Sequence, residues 1–194
     1  MSMYHEGNRE LQDRFDTRRL ADRLEEVKVH EAFTADDRAF IERLEMFFMA
    51  TTDAAGQPTC SYKGGPAGFV RVLDERTLVF PSYDGNGMFL TLGNVRQSAS
   101  VGLLFVDFEG QRRIRVNGTA TLSFDDEAMA WYPEAQLIVR VTPTQIFPNC
   151  PRYIHKMSLV ERSAFVPEVG RITPTPAWKE SAWAKDVLPG RDSR

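Results

Sequence analysis

The sequence predicts a mainly β protein, an antiparallel barrel of six or seven strands with a few flanking helices. Three observations carry this reading. Ile114, Val116, Gly118, Ala120 and Leu122 alternate with Arg113, Arg115, Asn117, Thr119 and Thr121, the period-two signature of a half-buried antiparallel strand. Short strand-like runs recur between turn-rich stretches: MFFMATT (46–52), TCSY (59–62), GFVRVL (68–73) and LVFP (78–81), with DAAGQP and DERT between members of each pair. VGLLFVDF (101–108) is apolar on both faces. In a small sheet that points to a barrel interior on one side and a second subunit on the other.

The remaining elements follow in chain order. Leu11, Phe15, Leu20, Leu24 and Val27 give residues 8–30 an amphipathic helical pattern, either docked on the domain or reaching a partner subunit. Thr34 followed by Asp37 is a capping-box start for a second helix, whose apolar face is Phe40, Ile41 and Leu44. After LVFP comes the turn Gly85-Asn86-Gly87 and a short helix from about Met88, with Phe89, Leu92 and Val95 as its apolar face. DDEAMAWY (125–132) reads as a helical turn or two. AQLIVRVTPTQIF (135–147) reads as a strand broken at Pro143. The Pro-rich tail from residue 173 holds no second domain, and Trp178 and Trp183 are expected to pack on the barrel or a neighbour. The expected organisation is a helical arm (1–34), a barrel (35–165) and a tail (166–194) packed on the barrel or on a partner subunit.

The composition, 42% apolar and 26% charged over 194 residues, suits one soluble domain with a sizeable core. A net charge of −3 lacks the basic excess of a nucleic-acid binder. No run approaches a membrane span, and MSMYHEGNRE has no signal-peptide core, so a cytoplasmic protein with neither nucleic-acid nor membrane partners is expected. Cys60 and Cys150 are too few for a disulfide scaffold, and His5, His30 and His155 are too scattered for a zinc site.

Three stretches carry possible chemistry. Around Gly85-Asn86-Gly87, backbone N–H groups and the following helix start could receive a phosphate, with Ser82 and Asn86 as side-chain donors; the alternative is an ordinary turn. In SYKGGPAGFVRV (61–72), Lys63 and Gly64-Gly65-Pro66 could lie against a flat ligand. A lysine at the N1–C2=O edge of a flavin would stabilise negative charge on the reduced ring; the alternative is a glycine-rich loop with a solvated lysine. In FPNCPRYIHKM (147–157), Arg152, His155 and Lys156 form a basic cluster around Tyr153, otherwise a solvated turn. Cys150 beside these cations reads as an inert thiol rather than a reactive one.

The order and spacing of FFMATTDAAGQPTCSYKGGPAGFVRVLDERTLVFPSYDGNG, a helix containing LGN, then SASVGLLF and RIRVNGTATL resembles the pyridoxamine 5′-phosphate oxidase-like family of FMN-binding split barrels over roughly residues 35–165. NCPRYIHK and WKESAWAKDVLPG look like a subgroup known only as flavin-binding. The resemblance implies an antiparallel split β-barrel and a homodimer with two FMN at the subunit interface. It places the isoalloxazine against Ser61, Tyr62 and Lys63. The phosphate and ribityl chain fall to Phe80, Pro81, Ser82, Asn86, Gly87 and Met88, and the partner subunit adds Arg115, Arg152 and Lys156. The true oxidases carry an arginine-lysine pair where this chain has Asn86-Gly87, and they end in an arginine-x-histidine motif that PGRDSR lacks. This argues against pyridoxamine phosphate as substrate. The function implied is flavin-mediated hydride transfer to or from a small molecule, with the catalytic acid or base unassigned (Lys63 and His155 are the nearest choices). A flavin store or sensor without turnover, or an F420- or haem-binding relative, are the alternatives.

Overall fold

The computed structural model describes residues 2–190. Seven strands, β1 (Met46–Thr52), β2 (Pro58–Gly64), β3 (Arg71–Asp74), β4 (Thr77–Ser82), β5 (Ser100–Asp107), β6 (Arg112–Ser123) and β7 (Leu137–Pro148), form one sheet in the order β2-β1-β5-β6-β7-β4-β3. Every pairing is antiparallel. The sheet curls so that its inner residues form one continuous core, and it stays open between β2 and β3, which makes it a split barrel.

Side-chain alternation fixes which face is inside. Phe47 and Met49 of β1, Leu103 and Phe105 of β5, Val116 of β6 and Val139, Val141 and Ile146 of β7 are at most 1% exposed. Phe47 sits at the centre of a ring cluster, 5.9 Å from Phe69 and 5.0 Å from both Phe80 and Phe105 between centroids. On the outer face, Tyr62, Phe48, Leu104, Arg115 and Phe147 lie in one row across four hydrogen-bonded pairings.

β7 is continuous through Pro143, where the sequence reads a break. The register of β6 against β7 shifts between Asn117 and Gly118, and Pro143 lies opposite Gly118 at this bulge. The missing proline N–H is thus absorbed where the ladder is already irregular. A Cβ at Gly118 would stand 2.2 Å from the Thr142 carbonyl oxygen, so the two backbones meet this closely only with glycine.

The helices are α1 (Glu6–Arg14), α2 (Arg18–Lys28), α3 (Ala35–Glu42) and α4 (Leu90–Gln97), with 3₁₀ turns at Glu127–Trp131 and Ala177–Glu180. The single helix expected over 8–30 is two helices, broken where Asp16 adopts a left-handed φ of 51°. Arg9 bridges them to Asp22 at 2.6 Å. Leu11, Phe15, Leu20, Leu24 and Val27 remain 44–69% exposed, so the arm's apolar face is uncovered within the chain. α3 has the expected capping box: the Asp37 N–H donates to Thr34 Oγ1, and the Thr34 N–H donates to Asp37 Oδ2.

In the tail, Trp178 and Trp183 stack on one another, 5.9 Å apart and 13° from parallel, and Trp183 stays 72% exposed. Lys179, between them, ion-pairs with Asp84 at 2.6 Å. Residues 191–194, part of the ending that departs from the arginine-x-histidine pattern, and Met1 lie outside the described residues.

One buried ion pair sets an acid-stability prediction. Arg140 donates twice to Asp126, at 2.6 and 2.8 Å, and the Asp126 side chain also accepts from the Ala128 N–H. Hydrogen bonding to Arg140 holds the Asp126 carboxyl below its ordinary range. A depressed folded-state carboxylate contributes stability that is present above its unfolded pKa, about 3.9, and is lost as pH falls through the folded value. Asp126→Asn is therefore expected to lower stability at neutral pH by about 1–3 kcal/mol and to flatten the acid limb of a Tm-against-pH profile below about pH 4. An unchanged acid limb would remove this pair from the account.

Candidate functional site

The open side of the barrel holds a cleft of about 980 Å³. Its walls are residues 43–46 leading into β1, 62–65 at the end of β2, 80–85 at the end of β4, 106–109 at the end of β5, Leu92 of α4 and an extended segment, 157–167. Strand ends converge here because the sheet curls without closing.

Local packing holds each wall. Thr91 Oγ1 of α4 donates to Ser61 Oγ at 3.0 Å, and Asn94 Nδ2 donates to Thr51 Oγ1 and Thr59 Oγ1, latching α4 onto β1 and β2. The Gly65 N–H donates to the Glu45 carbonyl. A Cβ at Gly65 would stand 2.4 Å from Phe69 Cγ, so this loop lies directly on a core ring.

The electrostatics are uneven. Arg43 pairs with Asp107 at 2.6 Å, and Arg162 of the extended segment pairs with Glu45. Burial alone would raise the Asp107 carboxyl, but the Gly110 N–H and Arg43 hold it below its ordinary range. Burial, with Glu134 nearby, pushes the Tyr83 hydroxyl up to about 12. Lys63 differs from the two arginines. It lies opposite Phe47 in the β1–β2 register, lines the cleft and makes no ion pair among the described residues. Desolvation lowers its pKa, and a negative group placed beside it would relieve that cost.

The sequence model of the pyridoxamine 5′-phosphate oxidase family matches residues 33–150. The chain belongs to that family. The match spans α3 through β7 and includes every strand of the barrel. Among solved structures, HupZ from Group A Streptococcus is 19% identical, covering 65% of this chain and 99% of its own, with a TM-score of 0.50. A putative pyridoxamine 5′-phosphate oxidase from Lactobacillus delbrueckii is 22% identical, covering 62% of this chain and 99% of its own, also at 0.50. At these identities both speak to the split-barrel fold. No curated protein sequence matches the chain.

Within this family member, the residues singled out from sequence fall into three groups. Tyr62, Lys63, Phe80, Pro81 and Ser82 line the cleft, while Ser61 lies just behind it, engaged by Thr91. Asn86, Gly87 and Met88 form an exposed turn beyond Gly85 and are not lining residues. There Asn86 Oδ1 accepts from the Met88 N–H at 3.1 Å, and Gly87 has a φ of 76°. The helix begins at Leu90 rather than Met88 because Phe89, its N-cap, is left-handed at φ 50°. Arg115, Arg152 and Lys156 are exposed and lie outside the cleft. Arg115 shares the outer sheet face with Tyr62, opposite to Lys63. His155 is likewise exposed and outside it.

Sequence reasoning missed Arg43, Glu45 and Asp107, and the whole segment that contributes Met157, Leu159, Arg162 and Phe165. That segment has apolar residues without a helical or strand period, the one local sign that it covers something. Among the described residues, no helix is long and apolar enough to cross a membrane, and no cluster of His, Cys, Asp and Glu is arranged for a metal ion.

Proposed function

We propose that this protein is an FMN-binding oxidoreductase acting on a small molecule, working as a homodimer with each flavin at the subunit interface. The observation that carries the reading is Lys63: a desolvated cation with no acidic partner among the described residues, facing a cleft of about 980 Å³ whose other lining cations, Arg43 and Arg162, are already paired. The Gly64 backbone and the strand end at Ser82 offer a flat ring its contacts, and Lys63 fits the edge where negative charge collects. Bound flavin supplies hydride acceptance and donation. The chain's own residues bind it, orient it and compensate its charge.

The phosphate supports a second copy. Ser82 and the amides of residues 85–87 can donate to it, but among the described residues no unpaired cation beside Lys63 lines the cleft. Arg115, Arg152 and Lys156 reach such a site when another chain presents them, since Arg115 projects from the face opposite Lys63. Tyr62, Met88, Phe89 and Leu90, all 49–62% exposed near the rim, would be covered by the same chain.

Asn86→Asp tests the phosphate end. Aspartate can still accept from the Met88 N–H, so the turn keeps its shape and only the charge changes. FMN affinity is expected to fall about tenfold, a like-charge effect limited by solvent screening at this exposed turn. Unchanged affinity would place the phosphate elsewhere. Catalysis is tested by mixing the FMN-loaded protein anaerobically with NADH or NADPH. Bleaching of the flavin band and its return with oxygen is the expected result. Stable flavin that neither donor bleaches would favour a store or sensor, and failure to hold FMN while F420 or haem binds would replace the cofactor.

A further inference from the structure

Asp84 stands in the wall of the cleft between Tyr83 and Gly85. It is the one acid in the stretch from Ser82 to Gly87, whose hydroxyl and amides are the phosphate donors of the reading above. A bare carboxylate there would oppose a phosphate by like-charge repulsion. Both of its oxygens are engaged. Gln136 Nε2 donates to Oδ1 at 3.0 Å, and Lys179 Nζ donates to Oδ2 at 2.6 Å. Gln136 also donates its backbone N–H to the Ser82 carbonyl at 2.8 Å, which ties the carboxylate to the end of β4. Gln136 is neutral, so Lys179 is the partner that brings charge.

Lys179 comes from the tail, 95 positions further along the chain. Thr173 Oγ1 donates to Glu134 Oε1 at 2.9 Å and brings the tail to this end of the barrel. The 3₁₀ turn Ala177–Glu180 then sets Lys179 inward, with its Nζ 5.8 Å from the centroid of the Trp178 ring. The two partners are buried very unequally: the Lys179 side chain is 7% exposed and that of Asp84 is 41% exposed. Water solvates so open a carboxylate without help, whereas a lysine is rarely buried and loses hydration when it is. Ion pairs with one open partner contribute little to stability. What the pair does achieve is to fix a positive charge behind the acid of the phosphate stretch.

On the phosphate placement given under Proposed function, we propose that Lys179 is a positioning residue of the flavin site, which sets its preference for a phosphorylated flavin. Lys179 does not line the cleft. It acts through Asp84, offsetting the carboxylate's charge so that a dianion can lie against Ser82 and the amides of residues 85–87. The discrimination is between FMN and riboflavin, which has the same ring and ribityl chain without the phosphate.

Fluorescence titration of the full-length protein with FMN and with riboflavin reads this directly. Lys179→Met is expected to lower FMN affinity about tenfold and riboflavin affinity by less than about twofold, since only the phosphate feels the uncovered charge. Asp84→Asn, which keeps Lys179 and removes the opposing charge, is expected to raise the FMN-to-riboflavin affinity ratio above the parent's. The double variant is expected to bind FMN within about threefold of the parent. Melting curves establish that each variant is folded, and Asp84→Asn carries the test alone where Lys179→Met does not fold. Equal losses for both flavins in folded Lys179→Met would reduce the lysine to an anchor for the tail and overturn the proposal. So would an affinity ratio that Asp84→Asn leaves unchanged. A parent that takes neither flavin, or that binds FMN no more tightly than riboflavin, would overturn the phosphate placement itself.

Discussion

Replacing Lys63 with glutamate is expected to weaken FMN binding at least about 100-fold, and Lys63→Met roughly tenfold. Two charges about 5 Å apart interact by about 3 kcal/mol at the effective dielectric of a partly buried site, and each 1.4 kcal/mol is tenfold in affinity. Charge removal forfeits a screened part of that energy, and reversal turns the attraction into repulsion. A second readout separates this from general damage. Desolvation disfavours the Lys63 cation in the chain alone, so Lys63→Met is expected to leave the flavin-free protein as stable as the parent or more stable. Flavin fluorescence titration and thermal unfolding of the apoprotein measure the two effects. Parent-like FMN affinity in Lys63→Met would remove the lysine from the site.

Phe47→Ala is expected to cost about 3–5 kcal/mol in urea unfolding. Phe47 is fully buried and touches the rings of Phe69, Phe80 and Phe105, so its removal leaves a cavity among side chains held by three different parts of the fold. That is a large share of the roughly 5–15 kcal/mol that keeps a domain folded. Phe47 also pairs with Lys63 in the β1–β2 register, and Phe80 lines the cleft. Flavin affinity should therefore fall with stability, although Phe47 itself is not a lining residue. A loss below about 1 kcal/mol would mean that the barrel centre repacks without it.

Where one face of an element is wet and the other dry, the pattern was legible. β1 spans the residues read as MFFMATT, and β6 contains the alternating run from Ile114 to Leu122. The α3 start was legible because Thr34 and Asp37 cap it through local bonds. The misplaced boundaries share a cause: Asp16 and Phe89 adopt left-handed backbone that non-glycine residues rarely take, and residue type does not announce it. Pro143 reads as a break because the bulge that accommodates it, with Thr144 as the extra residue of β7, is set by the pairing with Asn117 and Gly118 of β6, which a local pattern does not show. For the candidate site, Tyr62, Lys63 and Phe80 to Ser82 lie on elements already visible as strands. Arg43–Asp107 and Arg162–Glu45 join residues 64 and 117 positions apart, and such contacts leave no mark on a local pattern. Arg115, Arg152 and Lys156 belong to the site only if a second chain supplies them, which one chain's sequence cannot display.

The most direct test of the central claim is the absorbance spectrum of freshly purified protein, followed by heat release and identification of the molecule that comes off. The account predicts oxidised-flavin bands and FMN in the supernatant, close to one per chain, from a particle of two chains. A colourless protein that also fails to take up added FMN would contradict it.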